Sequence, residues 1–298
     1  MTSPGRPLQG ILWMIATGLC FIAVTAVVKH AAQDLPAAEA AFLRYLLGLV
    51  FLIPVARTLL ATRMPARQLA LFGARGVVHS LAVILWFFAM TQIPIAEVTA
   101  MNYLNPVYVT LGAALFLGEK LALRRIMAIV AALLGVVVIL RPGFREIEAG
   151  HLAMLLTAVL FGASYLLAKP LSDRHSASMV VGMLSLTVTI GLAPFAFAVW
   201  VAPTVTEVAW MFLVAFFATT GHYAMTRAFA AAPVSVTQPV TFLQMVWAVL
   251  LGWALFDEPP DAFVILGAAV IIASVSFIAW REARLKRQIT PPVHATKH

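Results

Sequence analysis

Two pairs of positions repeat an amide and an aromatic ring at a fixed separation. Asn105 and Gln244 are 139 residues apart, as are Tyr108 and Trp247, and in each half the ring follows the amide by three residues. On a helix that spacing puts both side chains on one face. An amide beside an aromatic ring suits a zwitterionic or heteroaromatic ligand, the amide bonding its polar end and the ring stacking on its body. The competing reading is an interhelical amide hydrogen bond with an interfacial ring beside it. Two further stripes carry related chemistry. His79, Val83 and Trp86 share a helical face, and His222, Thr226 and Phe229 nearly repeat it; the 139-residue shift sets His222 on Val83, one turn from His79. Either the imidazoles line a cavity or each bonds a carbonyl of a neighbouring helix. Phe161 and Tyr165, one turn apart, add aromatic lining. Pro106 and Pro239 cannot donate to the carbonyls of Asn102 and Ser235, so both segments should kink. Carbonyls freed near Asn102 and Thr241 are candidates for a substrate ammonium, and the kinks would also permit rocking. Together Trp86, Asn105, Tyr108, Tyr165, Gln244 and Trp247 form the candidate substrate site, with His79 and His222 at its edge.

These residues sit in long apolar segments. The chain has 298 residues, 62% hydrophobic and 11% charged, with mean hydropathy +0.97. Soluble domains carry roughly 25% charged residues, so lipid is the expected surroundings. A helix needs about 20 residues to cross ~30 Å of hydrocarbon. Ten spans are read near 8–28, 38–57, 69–90, 95–117, 123–140, 151–169, 177–200, 207–229, 234–255 and 262–280. The first run is longer than the apolar core of a signal peptide and nine more follow, so it is expected to be retained. With the N-terminus inside, sixteen of the 20 Lys and Arg fall on one side, Arg75 among them, which places both termini in the cytoplasm of a bacterial inner membrane. The net charge of +8 is scattered over short loops and is expected to reflect this bias rather than nucleic-acid binding. Lys29 and Lys169 end their helices and are expected to snorkel, and Arg44, about six residues into the second span, to reach the interface.

The chain also repeats itself. A shift of 139 sets Pro94 on Pro233, Leu104 on Leu243, Val107 on Val246 and Glu119 on Glu258; a shift of 140 sets Thr17 on Thr157, Phe21 on Phe161 and Lys29 on Lys169. Each unit holds five spans, an odd number, so the copies should insert in opposite orientations, as in alternating-access carriers. The basic loop 118–125 and the acidic loop 257–261 agree with opposite sides. The fold expected is all-α integral membrane: ten transmembrane helices as two inverted five-helix repeats around a central cavity. The boundaries are 1–145, 146–282 and a basic tail 283–298. Leu104-Asn-Pro-Val-Tyr-Val-Thr, Leu117-Gly-Glu-Lys and Gly135-Val-Val-Val-Ile-Leu-Arg-Pro-Gly resemble the EamA unit of the drug/metabolite transporter superfamily. The second copy departs at Phe256-Asp-Glu-Pro. The resemblance implies ten helices about a central cavity and, for many bacterial members, export of amino acids or related metabolites.

No carboxylate falls at mid-span; all 12 lie in loops or near span ends. Proton coupling, if present, is therefore expected to run through His79 or His222. One cysteine, Cys20, and no Cys/His spacing leave no metal or cofactor to expect. Nothing resembles a nucleotide loop or nucleophile constellation. An enzyme would need clustered acids or metal ligands, and a sensor would need a soluble output domain. The reading is a carrier exporting small metabolites, most plausibly aromatic or aliphatic amino acids. The alternative is another solute: a nucleobase-type compound, riboflavin, an organic anion or a drug-like cation. The small-residue faces Ala128-x3-Ala132, Ala131-x3-Gly135 and Ala269-x3-Ala273 read as close helix packing, the last as a contact for a homodimer.

Overall fold

The computed structural model describes residues 7–117, 122–172, 174–232 and 234–289. Glu119 and Lys120 in the 118–122 loop, Asp173, Pro233, Arg6 and the end of the basic tail lie outside the described residues.

Apolar runs without polar breaks become unbroken helices: α1 (Pro7–Ala31), α4 (Ala66–Gln92), α7 (Leu123–Leu140), α8 (Ala149–Ser172), α9 (Ala177–Ala198), α10 (Val205–Ala231) and α13 (Ala262–Ile289). Their starts follow local chemistry. Thr204 and Glu207 form a capping box on α10, and Ser176 accepts the Met179 amide at the start of α9. Among the described residues, eight helical stretches are long and apolar enough to cross a membrane, the seven above and Pro239–Phe256. The chain is a multi-pass membrane protein.

The remaining expected spans are interrupted, each near a proline. The 38–57 run becomes α2 (Ala37–Gly48), a 3₁₀ turn Leu49–Leu52 and α3 (Ile53–Ala61), because Pro54 cannot continue the α-helical ladder. The 95–117 run becomes α5 (Ile95–Asn102) and α6 (Asn105–Leu117), parted at Tyr103 and Leu104 just before Pro106. The 234–255 run becomes α11 (Val234–Thr241) and α12 (Leu243–Phe256), parted at Phe242 three residues after Pro239. Helix α13 continues past Trp280 to Ile289, so the first residues of the basic tail extend the helix.

The largest interhelix packings are α1 on α10, α4 on α8 and α7 on α13. The α7–α13 crossing is backbone-close: a Cβ on Gly135 would lie 2.8 Å from the Gly267 carbonyl oxygen. The small-residue face of α7 thus packs within the chain, whereas Ala269 and Ala273 are exposed on α13. A main apolar core runs through α1, α2, α4 to α8 and α13, with Phe87, Met101, Leu104 and Met154 almost wholly buried.

Candidate substrate site

One group of predicted residues assembles on α8. Gly162 lets α6 approach: a Cβ there would lie 2.9 Å from the Tyr108 Cβ. One residue earlier, the Phe161 ring lies 4.9 Å from that of His79, 6.1 Å from Trp86 and 6.3 Å from Tyr165, the last pair stacked at 28°. His79 is buried, and both its ring nitrogens are engaged. Nδ1 is 3.0 Å from Ser164 Oγ and Nε2 is 3.2 Å from Tyr45 Oη. Hydroxyls can donate or accept, so this pairing accommodates either neutral tautomer. Tyr165 is exposed and Trp86 half-buried.

A second group assembles on α1. Gly18 lets Gln244 pack against the helix: a Cβ at Gly18 would lie 3.1 Å from Gln244 Cγ. Phe21 meets His222 edge to face at 5.1 Å. Trp247 packs with Ile22, Ile95 and Ala248. The ring at the centre of each group, Phe161 or Phe21, is the other's mate at the 140-residue shift. The groups differ in one respect: His79 is buried, whereas His222 is exposed. Asn105 belongs to neither group. It sits beside the α5–α6 break, where its Nδ2 donates to Asn102 Oδ1 at 2.9 Å.

Three polar atoms in this set are buried without a partner: Nε1 of Trp86, Nε1 of Trp247 and Oδ1 of Asn105. A buried polar group left unpaired costs roughly 1–3 kcal/mol. The expectation of a free carbonyl near Thr241 is corrected, since Tyr103 Oη donates to the Thr241 oxygen at 3.2 Å.

Sequence reasoning missed four neighbours of His79. Tyr45 and Ser164 hold its ring. Arg75, counted as a loop charge, instead lies nine residues into α4, one turn before His79, and is only 6% exposed. Its helical offset of four from His79 was the available signal. Arg44 does not extend away to solvent but lays its guanidinium over the Tyr45 ring, 3.9 Å from the centroid.

The ends of the helices hold the ion pairs, and here the snorkelling expectation for Lys29 is corrected. Lys29 Nζ pairs with Glu258 Oε1 at 2.7 Å and donates to the Ile93 carbonyl at 2.8 Å. Glu97 is near a span end as expected but buried, bonded by both Arg145 Nη atoms at 2.9 Å and by His151 at 2.6 Å. His151 Nδ1 accepts the Glu148 amide, which leaves Nε2 as the donor to Glu97. Those bonds hold the Arg145 guanidinium above its usual range, against the opposing effect of burial. Arg141 pairs with Asp261. Burial pushes the Asp261 carboxyl up, but the amides of Phe263 and Val264 and the Arg141 guanidinium outweigh it and hold it below the ordinary range. A cavity of ≈ 590 Å³ opens beside these pairs, lined by Glu97, Arg141, Glu258, Asp261 and Phe263 among others, and by none of the eight predicted site residues. Three of its carboxylates are already paired, so it offers little free charge to a ligand. Glu39, also buried, accepts the Val201 amide at 2.9 Å. Among the described residues no group of three His, Cys, Asp or Glu is placed to hold a metal ion.

The profile of the EamA-like transporter family matches residues 8–141 and again 148–280. A riboflavin transporter of Rhizobium johnstonii is 32% identical over 96% of this chain and 95% of its own length. A riboflavin transporter of Vibrio cholerae is 31% identical over 97% and 98%. A crystal structure with 19% identity superposes with TM-score 0.59, covering 93% of this chain and 98% of the other, and so shares the fold.

Proposed function

The chain belongs to the EamA-like transporter family, and on that premise we propose that it carries a planar heteroaromatic metabolite of the riboflavin type across the bacterial inner membrane. The observation that carries this reading is the combination of stacking rings with unpaired polar atoms. Trp86, Phe161 and Tyr165 offer ring faces on α4 and α8, and Trp247 another on α12. The two indole N–H groups and the Asn105 carbonyl are buried and lack partners. A flavin-like ring system has ring carbonyls and nitrogens to accept from the indoles and an imide N–H to give to Asn105. An aliphatic amino acid would leave the rings unused. The amino-acid export favoured by the sequence draws no support from relatives named for riboflavin, which was among the alternatives.

The ten-span, inverted-repeat architecture belongs to this proposal. Its support is that helix packings come in couples related by the repeat. The α1–α10 contact is matched by α8–α4, α2–α10 by α9–α4, and α6–α8 by α12–α1; α2–α9 and α7–α13 map onto themselves. In such a carrier both halves close over a ligand held near the pseudo-twofold axis. His79 and His222, each on the central ring of its own group, would then face the ligand from opposite halves. The charge bias of the loops puts both termini in the cytoplasm.

The test is uptake of labelled riboflavin and of an amino-acid panel into liposomes containing the purified protein, with Tyr108→Ala and Gln244→Ala alongside wild type. A stacking ring contributes about 0.5–1.5 kcal/mol and a hydrogen bond about as much again. Apparent affinity for the flavin should therefore fall roughly two- to tenfold in each variant. Wild-type uptake of amino acids but not of riboflavin would overturn the substrate reading. Unchanged affinity in both variants for every accepted solute would remove those side chains from the site.

A further inference from the structure

We propose that Arg44 and Arg75 form an anion subsite beside the aromatic wall, so that the preferred cargo joins its ring to a carboxylate or a phosphate. The inference rests on the central site being the substrate site.

Arg75 lies nine residues into the 27-residue α4, is 6% exposed, and has one recorded bond among its five N–H donors, a long 3.5 Å contact from Nη1 to the Val180 carbonyl. Its Nε is buried with no partner. Arg44 comes from α2 and is held by the Tyr45 ring, whose hydroxyl in turn bonds His79. Both guanidiniums lie within electrostatic reach of His79, and Arg44 within reach of His222 as well. Tyr45 and Tyr165 lie within electrostatic reach of Arg75. Arg75 lies one turn from His79 on α4, and Arg44 reaches His79 through Tyr45, so both cations border the imidazole that meets Phe161.

No carboxylate among the described residues forms an ion pair with either arginine. The nearest along α2 is Glu39, five residues from Arg44 and turned to the Val201 amide. Every ion pair recorded among the described residues instead involves the helix-end carboxylates Glu97, Glu258 and Asp261. An unpaired guanidinium inside a membrane domain is costly, and such groups are retained facing a partner or a cavity. With no internal counter-charge, the cargo is the group that supplies it. Arginine forks suit both carboxylate and phosphate, which they bind through two parallel N–H donors.

The experiment measures competition against labelled riboflavin uptake in liposomes by unlabelled riboflavin, by a flavin bearing a phosphate monoester, and by a simple aromatic carboxylate. In the wild type, one of the two anionic compounds should compete at least tenfold more tightly than its neutral counterpart, the aromatic amide serving as the counterpart of the carboxylate. Arg75→Gln and Arg44→Gln should each bring that ratio close to one, and Arg75→Lys should restore part of it. Equal competition by charged and neutral compounds in wild type overturns the proposal without recourse to any variant, even if Arg75→Gln fails to fold. A ratio that survives in both glutamine variants also overturns it. If riboflavin is not taken up, direct binding of the aromatic carboxylate, measured by quenching of tryptophan fluorescence and lost in Arg75→Gln, upholds the anion subsite while the flavin reading fails. No such binding removes both.

Discussion

Breaking the Lys29–Glu258 pair should destabilise the protein by a few kcal/mol, on the order expected for a partly buried ion pair. Lys29 closes α1 in the first half of the chain, and Glu258 follows α12 in the second. Glu258 uses one oxygen for Lys29 at 2.7 Å and the other for the Ile95 amide at 2.9 Å, while Lys29 also donates to the Ile93 carbonyl. The two side chains are only 14% and 15% exposed, so solvent screens them weakly. Gly252 makes room for the carboxylate, since a Cβ there would lie 2.5 Å from Glu258 Oε2. Removing one partner of a buried pair costs about 3–5 kcal/mol, because the other charge is stranded; the residual exposure here lowers the expectation to about 2–3 kcal/mol. Removing both partners leaves no stranded charge, so Lys29→Met with Glu258→Gln should be less damaging than the sum of the single changes. Coupling should reach about 1–3 kcal/mol. The assay is thermal unfolding in detergent, followed by tryptophan fluorescence, for wild type, both single variants and the double. At ~2–4 °C per kcal/mol for a chain of this order of size, each single change should lower the midpoint by roughly 4–12 °C. Strictly additive losses would refute the pair as a tie between the halves.

Two further outcomes are expected. Asp261 is held below its ordinary carboxyl range in the fold, so its contribution is complete above the unfolded value near 3.8 and is lost as pH falls through the lower folded value; the drop in midpoint below about pH 4 should be shallower in Asp261→Asn, and identical acid profiles would contradict the Arg141–Asp261 contact. Under the proposed opposite insertion of the repeats, single cysteines at Lys120 and Asp261 in a Cys20→Ser background should differ in labelling by an impermeant thiol reagent in intact cells, and equal labelling would falsify that topology.

Much of the architecture was legible in the sequence because a membrane imposes a coarse rule. Long apolar runs must become helices that satisfy their own backbone groups, and seven runs did so without interruption. The 139-residue spacing likewise located the two chain segments matched by the family profile. Phe161, which meets the His79 ring, stood out in the sequence beside Tyr165, whereas Tyr45, its other ring neighbour, did not. Arg75 was misplaced for a definite reason. A lone arginine nine residues from a helix start looks like a snorkelling end-charge when only hydropathy and the charge bias are read. Whether its side chain turns inward depends on α9, whose Val180 carbonyl it meets, more than a hundred residues away. The Glu97–Arg145–His151 cluster was equally hidden. Arg145 and His151 stand six residues apart, but Glu97, which joins them, lies about fifty residues earlier on α5.

The two interrupted spans at Tyr103 and Phe242 show how a duplicated fold can acquire a direction. The positions are mates at the 139-residue shift, and their rings meet edge to face at 5.5 Å. A helix broken inside a membrane leaves backbone groups that a neighbour must satisfy. Tyr103 does this for the second repeat by donating its hydroxyl to the Thr241 carbonyl. Phenylalanine at 242 has no hydroxyl to return the bond, and on the first repeat the side chains of Asn102 and Asn105 bond each other instead. That arrangement leaves the Asn105 carbonyl oxygen buried and unpaired at one break, while at the other break the mate Gln244 packs along α1 at Gly18. Identical halves would bind a ligand identically from either side. Here the same duplicated frame presents a buried, unpaired amide oxygen at Asn105 and a half-buried amide at its mate Gln244, together with a buried imidazole in one group and an exposed one in the other. Under the proposed inverted architecture, those differences would give an asymmetric cargo one preferred way to lie between the halves.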